Sequence, residues 1–151
     1  MRTFTLVISL FSFSALACPN LSGLYPTCRS NNGNVDIDYD VQVTQSDANG
    51  ATEYTVSSTD AETNERSTYA TRADGITRTE SVEIPEFGVT VEVSATASCT
   101  SDTLLVATAT TLQGNAIGAT SSKIWKVGHE LHQETTGEMM GQPINELVIC
   151  Y

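Results

Sequence analysis

The sequence predicts an all-β fold: an antiparallel up-and-down β-barrel of roughly eight to ten strands, with a β-sandwich as the alternative. Three observations carry this. Two segments alternate apolar and polar residues without a break: Val35-Asp36-Ile37-Asp38-Tyr39-Asp40-Val41-Gln42-Val43 and Val89-Thr90-Val91-Glu92-Val93-Ser94-Ala95-Thr96-Ala97. Alternation at a period of two marks a strand with one buried face. Hairpin dipeptides recur between such segments, Asn49-Gly50 and Asp74-Gly75 being the strongest. No helical stretch of note follows residue 17. Closing the meander into a barrel would remove the unpaired edges that an open sheet leaves.

The elements follow in order. Cys18-Pro19-Asn20-Leu21-Ser22-Gly23-Leu24-Tyr25-Pro26-Thr27-Cys28 opens the domain, and Asn31 to Asn34 is a turn. In the strand from Val35 to Val43, phase sends Val35, Ile37, Tyr39, Val41 and Val43 inward and Asp36, Asp38 and Asp40 to solvent. Thr52 to Ser58 is a weaker strand with Tyr54 and Val56 inward, and Thr59 to Glu65 is a polar loop. Arg66 to Arg72 is short and anchored by Tyr69. Ile76 to Ile84 leads through a turn at Pro85-Glu86-Phe87-Gly88 to the strand at 89–97, where Val89, Val91 and Val93 face inward. After a turn at Ser98 to Asp102 come Thr103 to Thr111, a turn at Gln113 to Gly118, and Ser122 to Val127 with the sole tryptophan, Trp125. Gly128 breaks the chain before Glu130 to Thr136. A loop from Gly137 to Pro143 precedes the closing strand, Asn145 to Tyr151.

Residues 1–17 read as a signal peptide: Arg2, then an apolar run from Phe4 to Phe13, then small residues at Ala15 and Ala17 that fit a cut before Cys18. The run is too short for a transmembrane helix, which needs about 20 residues. Removing 1–17 from 151 leaves 134 residues, a single domain at 18–151, and the loss of Arg2 takes the net charge from −11 to −12. Such a chain repels nucleic acid and anionic lipid. A cysteine at the cut also suggests a bacterial lipoprotein, but the lipobox has leucine three before the cysteine and a small residue two before. Here Ala15 and Leu16 stand the other way round. The expected location is secreted or periplasmic, with an outer-membrane lipoprotein anchored through Cys18 as the alternative. Four cysteines, Cys18, Cys28, Cys99 and Cys150, predict two disulfides in an oxidising compartment. Three connectivities are possible, and loop length favours Cys18–Cys28 with Cys99–Cys150.

The Leu21-Ser22-Gly23-Leu24-Tyr25 stretch resembles the Leu-x-Gly-x-Trp opening of lipocalin-like and avidin-like barrels, the calycin group. The resemblance implies that a glycine and an aromatic begin the first strand and plug one end of the barrel. Tyr25 stands where those families prefer tryptophan, and no biotin-site residues carry over. The Cys-Pro-x-Leu-x-Gly-x-Tyr-x-x-Cys start and the Val-Ile-Cys-Tyr end also resemble small exported bacterial proteins of unassigned function.

Several constellations mimic sites. Asp36, Asp38 and Asp40 lack the glycine and the distal glutamate that a calcium loop needs. His129-Glu130-Leu131-His132 has the wrong spacing for a zinc helix, and on a strand its histidines point to opposite faces. Met139-Met140 adds soft donors nearby, but no metal or other cofactor is expected. Arg78 and Glu80 share the phase of Ile76, Val82 and Ile84, and charges on an inner face must be paired or must line a polar cavity. No activated nucleophile is set up, so an enzyme is not expected. Two function classes remain. One is an exported binding module for a small apolar ligand, with Tyr39, Arg78, Glu80 and Trp125 lining the barrel interior. The other is an acidic interaction protein with a solid core, acting on a basic protein partner. The interior discriminates: a cavity favours the first, and a filling of Tyr25, Tyr39, Tyr54, Tyr69 and Trp125 favours the second.

Overall fold

A computed structural model describes residues 17–31, 35–84 and 88–151. The signal-peptide reading of 1–16, the middle of the 31–34 turn, the 85–87 part of the next turn and the inward reading of Val35 lie outside what is described. Ten strands follow in chain order: β1 (Gly23–Ser30), β2 (Val35–Ala48), β3 (Ala51–Asp60), β4 (Arg66–Ala73), β5 (Arg78–Ile84), β6 (Val89–Cys99), β7 (Thr103–Leu112), β8 (Asn115–Val127), β9 (Glu130–Met139) and β10 (Gln142–Cys150). They form one sheet in the order β4-β3-β2-β1-β10-β9-β8-β7-β6-β5. β1 pairs antiparallel with β10, so the first and last strands meet. A single parallel pair, Ala73 with Ala97, joins β4 to β6 and closes nine strands into a barrel. All other pairings are antiparallel, and β5 hangs on the edge of β6 outside the ring.

Backbone geometry explains where strands outrun their expected ends. Asn49-Gly50, Gln113-Gly114 and Met140-Gly141 all place two successive residues at left-handed φ, at 53° and 75°, 52° and 79°, and 52° and 76°. That is the two-residue hairpin turn whose twist matches its strands. Gln-Gly and Met-Gly are weak turn signals, so the turns expected at 113–118 and 137–143 shrink, and β8, β9 and β10 lengthen into them.

The core gathers at one end: Leu21, Tyr25, Val41, Val43, Tyr54, Ala97, Leu104 and Leu131, with Cys28 and Cys150. The segment from Cys18 to Ser22 plugs this end. Leu21 is 2% exposed. The Tyr54 hydroxyl donates to the Pro19 carbonyl at 2.7 Å, and the Tyr25 hydroxyl to the Leu21 carbonyl at 2.9 Å. Lys126 Nζ donates to the Ser22 carbonyl at 2.9 Å and lies 5.6 Å from the centre of the Tyr25 ring. Gly23 is required beside it, because a Cβ there would sit 2.9 Å from the Tyr25 ring.

Two expectations are corrected. The disulfides are Cys18–Cys99 and Cys28–Cys150, not Cys18–Cys28 and Cys99–Cys150. Cys28 and Cys150 are register partners on β1 and β10, which only closure brings together. Cys18 ends the plug, 5.4 Å Cα to Cα from Cys99 at the end of β6. The second correction is the phase of β2. Val41 and Val43 are buried and Ile37 packs half-buried against the core, as expected, but Tyr39 is 38% exposed. Asp40 has φ 50°, and the β2–β3 register shifts between Tyr39 and Gln42. A bulge turns the strand's face over there, and a second shift, where Cys28 and Arg29 face Asp38 and Asp36, leaves Ile37 against the core. Asp38 consequently faces Ser58, a buried residue of β3. Burial raises the Asp38 pKa, the hydrogen bond from Ser58 opposes that, and the nearby Asp60 adds to it.

Candidate functional site: the seam between β4 and β5

β4 touches β6 at one residue pair only. Beyond it, β5 occupies the edge of β6, and β4 and β5 face one another without pairing. The barrel wall therefore has a lateral seam that begins at the Asp74-Gly75 turn. Both flanking strands are open: Arg66 to Ala70 and Arg78 to Glu83 are exposed at every position. Alternation would bury half of them if a facing layer existed.

A slot of about 210 Å³ lies in the seam. Its floor is Val82 with Val93, Ala95 and Ala97 of β6, and its rim includes Arg72, Arg78 and Glu80. The register places Arg78 opposite Ala95, Glu80 opposite Val93 and Val82 opposite the buried Val91. Arg78, Glu80 and Val82 thus share the sheet's inner face, as their phase implies, yet remain accessible because nothing crosses the seam.

Asp74 organises the rim. Arg78 donates to it in a fork, Nη1 to Oδ1 at 3.0 Å and Nη2 to Oδ2 at 2.6 Å, and the Ile76 backbone adds a bond at 3.0 Å. The Arg78 bonds hold the Asp74 carboxyl well below the usual carboxylate range. Arg72 Nε lies 3.3 Å from Asp74 Oδ2 but is misaligned for a hydrogen bond, and Arg72 Nη2 donates to the Ala48 carbonyl at 3.2 Å. Arg66 Nε donates to Ser57 Oγ at 3.2 Å. Glu80 and Glu83 have no hydrogen-bond or ion-pair partner among the described residues. A larger, open cleft of about 650 Å³ adjoins the seam at the plugged end, between Asp47, Asp74 and the Cys18–Cys99 disulfide.

The four residues assigned to the barrel interior therefore separate. Arg78 and Glu80 come together in the slot. Tyr39 is turned out by the bulge. Trp125 is also outside: its neighbour Ile124 pairs with the buried Leu104, which sends Trp125 to the outer face. There it packs on its register partner His132, ring centres 5.4 Å apart. His132 Nε2 bonds Glu130 Oε2 at 2.9 Å on that same face, while Leu131 between them is buried. Among the described residues no group of three or more His, Cys, Asp or Glu side chains gathers to hold a metal. The interior holds Tyr25 and Tyr54 in its core, whereas Tyr69, on the open flank, is 53% exposed. Sequence reasoning missed Arg72 and Asp74, which read as a strand end and a turn residue. The fork from Arg78 back to Asp74 is what brings Asp74, with Arg72 beside it, to the rim.

No protein-family model, curated protein or solved structure matches this chain. Among the described residues no helix is long and apolar enough to cross a membrane, which says nothing of crossing by strands. The two disulfides fit an oxidising, extracytoplasmic location.

Proposed function

We propose that this protein is an exported β-barrel binding module whose site is the seam slot rather than the barrel interior. The observation that carries the reading is the convergence of Arg72, Arg78 and Glu80 around a floor of Val82, Val93, Ala95 and Ala97. Charged groups over a small apolar floor suit a ligand with an apolar portion and a polar end. The core end of the barrel, filled by Tyr25, Tyr54 and Leu21, argues against a ligand enclosed there. The calycin-like opening at Leu21 to Tyr25 is consistent with a binding barrel. The leader-like sequence of residues 1–17 and the two disulfides support secretion or a periplasmic location. Engagement of Cys18 with Cys99 leaves no sulfur for a lipid thioether, which favours an unanchored protein.

The test is an amide-NMR titration of the ¹⁵N-labelled domain with a set of small amphipathic fragments. Shifts are expected to cluster at 70–72, 78–82 and 93–97, and Val82→Trp should abolish them while leaving the melting temperature within a few degrees, since Val82 is 44% exposed. Shifts confined to other regions, or none at millimolar fragment, would refute the reading.

A further inference from the structure

The slot's size narrows what it can hold. Ligand pockets for drug-sized molecules run from about 300 to 1,000 Å³. At about 210 Å³ the slot accommodates one side chain rather than a whole ligand of that kind. Around it lie two unpaired strand edges, each a row of backbone donors and acceptors ready to accept another strand. Resting on the assignment of the seam as the binding site, we infer that its occupant is an extended, basic segment of another polypeptide, added as a strand along the free edge of β5 with a small apolar side chain in the slot. This is β-strand addition, in which backbone bonds supply affinity and a pocket for alternate side chains supplies selectivity.

The basic character of the partner follows from the charges left on β5, where the one arginine, Arg78, is paired and two glutamates are not. Two of the seam's arginines lie against a carboxylate: Arg78 forks onto Asp74, and Arg72 sits 3.3 Å from it, while Arg66 on β4 bonds only the neutral Ser57 hydroxyl. Glu80 and Glu83 have no partner among the described residues. Register places them on opposite faces of β5, Glu80 across from Val93 and Glu83 across from Thr90. A strand laid beside β5 would therefore meet one free carboxylate on each face. The whole chain, at net −11, attracts a basic partner from a distance as well. The same carboxylates deter parallel, in-register pairing with a second copy, which would set Glu80 against Glu80 and Glu83 against Glu83. A charged edge that resists such self-pairing and accepts a complementary strand is a selective one.

The test uses three blocked hexapeptides with the intact oxidised protein: alternating lysine and valine, alternating glutamate and valine, and the lysine–valine sequence with every second amide N-methylated. Binding is followed by calorimetry and by hydrogen exchange. The lysine–valine peptide is expected to bind and to slow exchange in residues 66–72 and 78–84. Glu80→Gln combined with Glu83→Gln should weaken it at least tenfold while the melting temperature holds, since both side chains are exposed. Equal binding of the glutamate–valine peptide, or no loss in the double variant, would overturn the basic partner. Undiminished binding of the N-methylated peptide would overturn strand addition while leaving the seam as the site. Protection that appears only outside β4 and β5, or no binding by any peptide, would overturn the inference, and the fragment titration would then decide the seam separately.

Discussion

Substituting along β2 tests the face reversal directly. Val41 is 4% exposed and Tyr39 38% exposed, although they are two residues apart and strict alternation would give them the same face. Val41→Asp gives up about 1.5–3 kcal/mol of apolar burial. It also places a carboxylate in the core, at an effective cost of several kcal/mol. The sum, roughly 5 kcal/mol or more, is comparable with the whole stability of a small domain, about 5–15 kcal/mol. Tyr39→Asp loses only partial burial and leaves its charge in water, for about 1 kcal/mol or less, as is usual for surface changes. Thermal melts followed by circular dichroism of both variants, beside the parent, should show Val41→Asp unfolded or grossly destabilised and Tyr39→Asp within a few degrees. Asp38→Asn extends the series: removing a carboxylate whose pKa burial has raised should leave the melt at neutral pH unchanged or slightly higher. Equal damage from Tyr39→Asp and Val41→Asp would show that the strand runs unbroken and that the bulge at Asp40 is wrong.

Non-reducing peptide mapping should recover Cys18–Cys99 and Cys28–Cys150, and Cys28→Ala with Cys150→Ala should cost about 4–5 kcal/mol, the entropy of closing a loop of that order. Stability should also fall at both ends of the pH scale. Because Asp74 is depressed in the fold, its contribution is complete above its ordinary pKa near 3.8 and is lost as pH drops below that; Asp74→Asn should flatten the acid limb. Tyr54, pushed up to about 12 chiefly by burial, keeps its proton in the fold while the unfolded chain ionises near 10. Stability should therefore decline by about 2–3 kcal/mol between pH 10 and 12. Tyr54→Phe should lack that decline but begin about 1 kcal/mol lower, having lost the bond to Pro19.

Alternation and turn chemistry made most of this fold legible. Each expected strand has its counterpart, because a half-buried strand leaves a period of two whatever it pairs with. What remained hidden depends on long-range geometry. Asp40 is compatible with unbroken alternation until its left-handed φ reverses the face, and aspartate tolerates that conformation without a glycine to announce it. Gln113-Gly114 and Met140-Gly141 form tight turns with a first residue that does not advertise one. The disulfide pairing followed loop length, whereas the fold pairs cysteines by closure of β1 onto β10. Arg78 and Glu80 were identifiable as charges on an apolar phase. That β5 lies beyond the ring, so that those charges border an opening instead of a core, depends on β4 reaching past it to Ala97.

The crossed connectivity of the disulfides bears on how the molecule is made. A chain delivered N-terminus first presents Cys18, then Cys28, and only much later Cys99 and Cys150. The first two thiols to meet an oxidant are therefore a mismatched pair, separated by ten positions and free to join before either proper mate exists. Since β1 cannot find β10 before β10 has been made, the Cys28–Cys150 bond is the later of the two to become possible. An early Cys18–Cys28 bond must be undone by thiol exchange, which proceeds through a mixed disulfide and depends on an available thiolate. A host that oxidises quickly but reshuffles slowly would therefore be expected to accumulate the short-loop isomer.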